Sequence, residues 1–173
     1  MYDKNILLPY AETAPLGDIL GDYYNAPAEF LKGETTAAVR TDIGIAGLSI
    51  CFEAVYPSHV RRSAEDGARF LVNISNDGWF GTTSEPVMHL RQAALRAVES
   101  RRYLVRASNN GYSAILSPMG EVVCLSGLFT RECLSGEIVP LETRSWYTLL
   151  GDWIVAVSAT LFAVVMGLVL FRP

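Results

Sequence analysis

The sequence predicts a mixed α/β domain followed by one membrane-spanning helix. Three observations indicate this: short apolar runs alternate with amphipathic stretches over residues 43–102, two more strand-like runs flank a turn, and nineteen residues near the C-terminus carry no charge. Alternating strands and helices followed by hairpin-linked strands are typical of a layered α/β structure, not of a helical bundle or an all-β sandwich. We therefore place the domain at residues 1–145 and the transmembrane helix at residues 153–171.

The domain is predicted from the period of its apolar residues and from its turn signals. The predicted segments are, in order, a strand at 43–50, a helix at 56–66, a strand at 69–74, a helix at 85–102, and strands at 103–107, 112–116 and 121–125. The turn Ser117-Pro118-Met119-Gly120 joins the last two strands as a hairpin. Residues 15–40 show no clear period and are predicted to form a long loop of the kind that serves as a lid or binding segment.

The longer helix has a recognisable start and an apolar face. Ser84 is predicted to cap it, with Glu85 and Pro86 in its first turn. Its predicted core stripe consists of Val87, Leu90, Ala94, Ala97 and Val98. Its arginines are expected to form a solvated face, with a lipid site as the alternative: Arg91, Arg96, Arg101 and Arg102.

The uncharged C-terminal stretch WIVAVSATLFAVVMGLVLF begins at Trp153. As a helix it would be about 28 Å long, close to the ~30 Å hydrocarbon core of a bilayer. The alternative is a buried core helix. Asp152 precedes the stretch and Arg172 follows it, so the positive-inside rule predicts a cytoplasmic C-terminus and a domain on the other side of the membrane.

Charge and cysteine content exclude other classes of protein. With 14 Lys+Arg against 18 Asp+Glu and a net charge of −4, the chain lacks the basic surface that nucleic-acid binding requires. Cys51, Cys124 and Cys133 share no Cys-x-x-Cys spacing, and only His59 and His89 could complete a metal site. This pattern fits neither a disulfide framework nor a structural zinc site, and we expect Cys124 and Cys133 to be packing residues.

Cys51 is the first candidate for chemistry. It lies directly after an apolar strand and before a helix, where helix N–H groups favour a thiolate. The alternative is a small buried hydrophobic residue. Glu53, two residues on, could orient or deprotonate a reacting group, or could be an ordinary acid in the first turn of a helix.

Two other stretches carry candidate residues. Lys4 and Glu12 flank an apolar segment, and a lysine near a thiol can stabilise a thiolate and an oxyanion; otherwise Lys4 is a surface residue. Trp79 and Phe80 follow the strand at 69–74 in a turn rich in Asn, Asp and Gly. They could line an apolar pocket or pack in the core.

Together these stretches resemble a known superfamily. YDKNILLPYAE, GLSICFEAVYPSHVRR, FLVNISNDGWFG and MHLRQAALRAVESRRYLVRASNNGYSAILSPMGEV are similar to the nitrilase-like (carbon–nitrogen hydrolase) superfamily, and most similar to its apolipoprotein N-acyltransferase family. The resemblance implies an αββα sandwich outside the cytoplasm, flanked by N-terminal membrane helices and one C-terminal helix. It also implies a triad of Glu, Lys and Cys in chain order.

The resemblance assigns roles to individual residues. Cys51 matches the nucleophile, Lys4 the triad lysine, and Glu12 and Glu53 two supporting carboxylates. Phe52 stands where relatives often carry tyrosine. Only three residues precede Lys4, so the triad glutamate has no counterpart here. We therefore expect a partial sandwich that is poorly folded and inactive alone, completed by a separate N-terminal half.

The implied reaction moves a fatty acyl chain from a phospholipid, through a Cys51 thioester, to the N-terminal diacylglyceryl-cysteine of an apolipoprotein. The resemblance places it in the bacterial cytoplasmic membrane, with the domain on the extracytoplasmic side, and implies no metal or organic cofactor. Two alternatives stay open. One is an amidohydrolase of the same superfamily, and the other is a non-catalytic remnant or split-protein half that only binds a partner.

Overall fold

A six-stranded mixed sheet organises the chain in this computed structural model, which describes residues 2–9, 11–13, 30–35 and 37–170. The strands lie in the sheet in their chain order. They are β1 (Ala38–Thr41), β2 (Gly44–Ile50), β3 (Phe70–Asn76), β4 (Leu104–Asn109), β5 (Ala114–Leu116) and β6 (Val122–Leu125). The three central strands β2, β3 and β4 are parallel, and the outer pairs are antiparallel.

Two helices connect the parallel strands and cover one face of the sheet. Helix α1 (Pro57–Glu65) follows β2, and helix α2 (Glu85–Ser100) follows β3. Each has a proline in its first turn, where a missing N–H costs nothing. The core between helices and sheet consists of Val60, Leu71, Leu90, Ala93, Ala97, Leu104, Ala114 and Leu116.

The predicted order of strands and helices is confirmed, and so is the hairpin of β5 and β6. The predicted C-terminal end of the long loop is wrong. Residues 38–40 belong to β1, which pairs antiparallel with β2 across a short turn. A four-residue edge strand carries too little periodicity to be recognised from sequence. Residues 15–29 and 36 of that predicted loop lie outside the described residues.

Two predictions about α2 are wrong. Ser84 occupies the N-cap position, but its side chain makes no capping hydrogen bond. Arg96 and Arg102 are buried, because their guanidinium groups donate to backbone carbonyls: Arg96 to Val55 at 3.1 Å and Arg102 to Ala68 at 2.8 Å. The buried side of the helix is accordingly more polar than the predicted stripe.

The second face of the sheet has no helix layer among the described residues. Alternate residues of the parallel strands point to this face, and they are apolar and partly exposed; Ile74 is 50% exposed. They are Leu48, Ile50, Val72, Ile74 and Val105, and we call them the open sheet face. One helix layer and one sheet layer of the predicted αββα sandwich are thus present.

The chain continues into two helices, α3 (Trp146–Leu150) and α4 (Trp153–Leu170). Helix α4 is 18 residues long and apolar enough to cross a membrane, and none of it is buried. The described residues therefore form no core around α4, and a membrane span stays a prediction. Phe171 and Arg172 lie outside the described residues, so the orientation drawn from Arg172 stays a prediction.

Candidate active site

Cys51 lies where β2 ends and a short 3₁₀ helix, Cys51–Val55, begins. Its backbone is left-handed, with a φ of 54°. This conformation costs a non-glycine residue about 1–2 kcal/mol, and it persists only where the surroundings hold it in place. The residue is partly exposed, so a strained cysteine that is not fully buried stands at the end of a parallel strand.

The buried carboxylate of Glu53 joins this turn to the N-terminal segment. One oxygen accepts from the Ile50 N–H and the Tyr2 hydroxyl, each at 2.7 Å. The other accepts from the N–H groups of Asn5 and Ile6, the latter at 3.0 Å. One carboxylate therefore holds the residue that precedes Cys51 and the residue that follows Lys4. Glu53 is a first-turn acid of the 3₁₀ helix, as one alternative had it, and a role in orienting or deprotonating a reacting group stays a prediction.

Lys4 and Glu12 form an ion pair. The Lys4 Nζ lies 2.7 and 2.6 Å from the two Glu12 carboxylate oxygens, and the Lys4 side chain is only 12% exposed. Glu12 also accepts from the Leu8 N–H at 2.7 Å, which closes the loop that carries it. Lys4 is thus a largely buried cation with a carboxylate partner, and the surface alternative is wrong.

A tyrosine and a histidine complete the surroundings of Glu53. The Tyr2 hydroxyl donates to Glu53 and lies 3.0 Å from His59 Nε2. Burial lowers the pKa of His59, although the charge of Glu53 opposes the shift. Burial also raises the pKa of Tyr2, and Glu53 raises it further. A neutral imidazole and a protonated phenol therefore shield this carboxylate, and His59 is occupied by hydrogen bonding.

A polar cluster beneath Cys51 was not predicted from the sequence; it comprises Asn73, Asp77, His89 and Arg106, which we call the buried network. Each of these side chains is 2% exposed or less. His89 lies 3.1 Å from Asp77 Oδ1 through Nδ1 and 3.1 Å from the Cys51 carbonyl through Nε2. Arg106 donates to Asp77 at 2.7 Å and also to Asn73.

Within the buried network, the Asp77 carboxylate is paired with the Arg106 guanidinium. Burial alone would raise the pKa of Asp77, but the hydrogen bond with His89 and the charge of Arg106 outweigh it and hold that pKa well below its usual value. The backbone at residue 111 lies close to the Asp77 side chain. Glycine permits this approach, because a Cβ there would collide with Asp77. The available sequence signal was the polar run after β3, but nothing local connected it with His89 or Arg106.

The remaining candidates occupy different surroundings. Trp79 is 84% exposed in the short turn Gly78–Phe80, so it does not pack in the core, while Phe80 is half-buried. The Phe52 ring packs edge-on against Tyr56, 5.6 Å between centroids. Cys124 is partly buried and Cys133 is exposed, so the expectation of a packing role for Cys133 is wrong.

A strained cysteine ends a parallel strand, and Glu53 ties the residue before it to the segment that carries the Lys4–Glu12 ion pair. The family model described as carbon–nitrogen hydrolase matches residues 1–148, and the chain belongs to this family. It is similar to apolipoprotein N-acyltransferase of Geobacter metallireducens, 36% identical over 98% of this chain and 33% of the relative. The protein of the same name from Gloeobacter violaceus is 35% identical, over 99% of this chain and 33% of the relative.

Solved structures support the fold. The NitFhit protein of C. elegans is similar with a TM-score of 0.55 and 25% identity, over 73% of this chain and 31% of that one. Nit3 of Saccharomyces cerevisiae, described as a member of the nitrilase superfamily, has a TM-score of 0.53 and 24% identity, over 61% and 41%. The chain spans about a third of the length of the curated relatives it matches.

Proposed function

We propose that this chain carries the nucleophile of an N-acyltransferase that moves a fatty acyl chain from a phospholipid to the N-terminal diacylglyceryl-cysteine of an apolipoprotein. The observation that carries the proposal is the partly exposed, left-handed Cys51, tied to the Lys4 segment through Glu53. The similarity to proteins named apolipoprotein N-acyltransferase over nearly the whole chain supports the choice of substrates.

In the first step the Cys51 sulfur attacks the ester carbonyl of the phospholipid. The thiol proton goes to a carboxylate base from outside residues 1–173, and the ammonium group of Lys4 and the backbone N–H of Phe52 stabilise the oxyanion. The carbon–oxygen bond then breaks, the lysophospholipid leaves with the proton, and the acyl group remains on sulfur as a thioester. Glu12 holds the Lys4 ammonium in position throughout.

In the second step the α-amino group of the lipoprotein attacks the thioester carbonyl. A carbon–nitrogen bond forms, the carbon–sulfur bond breaks, and the proton lost by the amine returns Cys51 to a thiol. Attack by water in place of the amine would release a free fatty acid. The acceptor therefore distinguishes the acyltransferase from an amidohydrolase of the same family.

The apolar helix α4 supports a reaction at a membrane. Moving an acyl chain into water costs about 0.8 kcal/mol per CH₂, so a site beside the bilayer avoids a large penalty for both substrates. We place the enzyme in the bacterial cytoplasmic membrane with the domain on the extracytoplasmic side. The exposed Trp79, in the turn that follows β3, supplies an apolar side chain that could face the membrane in this proposal.

An N-terminal half, encoded before this sequence or on a separate chain, completes the enzyme in this proposal. It supplies the base and a second sheet that covers the open sheet face. Two observations support it: the apolar side chains of that face are partly exposed, and the chain spans a third of its relatives. Without this second sheet, the open sheet face would leave an apolar patch exposed to water, which a stable soluble domain rarely does.

The test is a search for the acyl intermediate on the protein purified from its own membranes with all accompanying sequence. Incubated with phospholipid, it is expected to show an acyl adduct on Cys51 by peptide mass spectrometry, and the adduct should be discharged by a diacylglyceryl-cysteine peptide. Cys51→Ala should abolish the adduct, whereas Cys133→Ala, at an exposed thiol, should retain it. An adduct that persists in Cys51→Ala refutes the assignment, and discharge by water alone favours the amidohydrolase.

A further inference from the structure

We propose that His89, oriented by Asp77, is a positioning residue that holds Cys51 in its left-handed conformation and thereby aims the sulfur for acyl transfer. The inference rests on the proposed function. It names the residues that keep the strained nucleophile in place. The observation behind it is the contact between the buried network and the Cys51 backbone.

The direction of the hydrogen bond to Cys51 follows from the atoms involved. His89 Nε2 lies 3.1 Å from the Cys51 carbonyl oxygen, which can only accept, so Nε2 carries a proton. On the other side of the ring, Nδ1 lies 3.1 Å from Asp77 Oδ1 and 3.1 Å from an Arg106 nitrogen. Whether Nδ1 donates to Asp77 or accepts from Arg106, Nε2 remains the donor to Cys51.

The network is rigid because every member is buried and bonded. Asp77 receives the Ser75 hydroxyl at 2.6 Å as well as Arg106, so the carboxylate that faces His89 is fixed. Asn73 provides a second, longer contact with the Cys51 carbonyl at 3.4 Å. A polar cluster buried between a helix and a sheet is costly unless it is fully paired. Its contact with the strained residue gives it a function that core packing does not explain.

The conformation of Cys51 determines where its sulfur lies relative to the groups that bind the ester oxygen. A residue in a sparsely populated backbone conformation relaxes when the contacts that hold it are removed. Relaxation at Cys51 moves its sulfur relative to Lys4 and the Phe52 N–H, which must both face the ester oxygen. A misplacement of about 1 Å can lower the rate of such a step by about 100-fold. Simple alkylation of the thiol requires no such alignment.

The experiment compares two side chains that differ in reach. In His89→Gln the amide nitrogen can occupy the place of Nε2 and still donate to Cys51, whereas in His89→Asn the amide ends near Nδ1. The complete protein in its membranes is treated with phospholipid or with iodoacetamide, and modification of Cys51 is followed by mass spectrometry. We expect His89→Asn to slow acylation about 100-fold and alkylation no more than about threefold, and His89→Gln to recover at least about tenfold.

Leu90→Ala is the matched control, because it opens a cavity on the same helix without touching the Cys51 carbonyl. It should lower thermal stability but leave the ratio of acylation to alkylation unchanged. If His89→Asn does not fold, Asp77→Asn provides the test, since it loosens the imidazole without shortening it. Acylation at the wild-type rate in the folded variant, or an equal loss in Leu90→Ala, overturns the inference. Absence of acylation in the wild-type protein refutes the proposed function instead.

Discussion

Glu53 illustrates how a single side chain determines the geometry of the candidate site. Its carboxylate is fully buried, and all of its bonded partners are donors: the Tyr2 hydroxyl and the N–H groups of Asn5, Ile6 and Ile50. A carboxylate suits this position because it only accepts hydrogen bonds, and each bond to a charged acceptor contributes about 1.5–3 kcal/mol. The segment that carries Lys4 depends on it.

We expect Glu53→Gln to release the N-terminal segment, although the side chains have nearly the same shape. One oxygen becomes an NH₂ group that faces backbone N–H donors, which costs about 2–4 kcal/mol through lost bonds and an unpaired donor. Hydrogen exchange at the Asn5 and Ile6 amides should accelerate while the sheet stays protected. Glu121→Gln, at an exposed residue, is the control, and unchanged exchange in Glu53→Gln would contradict the organising role.

At the scale of elements, the parallel strands bring distant residues to one edge of the sheet. Cys51 follows β2, Asp77 follows β3, and Arg106 lies within β4 opposite Asn73. Helix α2 then places His89 against them, because its apolar residues anchor it over the same face. The site depends on close contact between helices and sheet, and Gly47 provides one such contact between β2 and α1.

Gly47→Ala is expected to destabilise the fold by separating α1 from β2. An added Cβ would lie 2.6 Å from the Ser63 hydroxyl and 2.8 Å from the Leu71 side chain. Overpacking of this kind costs about 1–3 kcal/mol, which denaturant unfolding would measure. Adding Ser63→Ala removes the nearest atom and should restore part of the stability. Equal stability of Gly47→Ala and the wild type would show that the layers can separate freely.

At the scale of the whole molecule, the domain is joined to its apolar helix through a fixed connection. Helix α3 is capped by Ser145, whose hydroxyl accepts from the Thr148 N–H at 2.9 Å and donates to the Glu99 carbonyl. The Arg61 guanidinium donates to the Tyr147 and Thr148 carbonyls, both at 3.1 Å. Because α4 begins three residues after α3 ends, these contacts relate the domain directly to the start of the apolar helix.

Arg61→Ala is expected to undock α3 from the domain. Two hydrogen bonds from a charged donor are lost, so hydrogen exchange of the amides at 146–150 should become at least about tenfold faster. Arg62→Ala provides the control, since this exposed neighbour on α1 makes no hydrogen bond to α3 in the described residues. The same exchange in both variants would mean that Ser145 alone holds the helix.

The order of strands and helices, the hairpin and the apolar C-terminal helix could all be predicted from local sequence. Each depends on the period of apolar residues or on a few turn residues, and both signals act over short distances along the chain. Cys51, Lys4, Glu12 and Glu53 were identified through motifs, but their mutual contacts were not. The short strand β1 was missed because pairing with β2, not its own pattern, stabilises it.

The buried network and the burial of Arg96 and Arg102 could not be predicted, because they depend on contacts between residues far apart in the chain. A charge pattern cannot distinguish a guanidinium in water from one bonded to buried carbonyls. Local patterns therefore set which elements form and where the cysteine lies. Packing of the layers set the conformation of Cys51 and the partners that hold it, because a strained backbone is stable only when distant groups surround it.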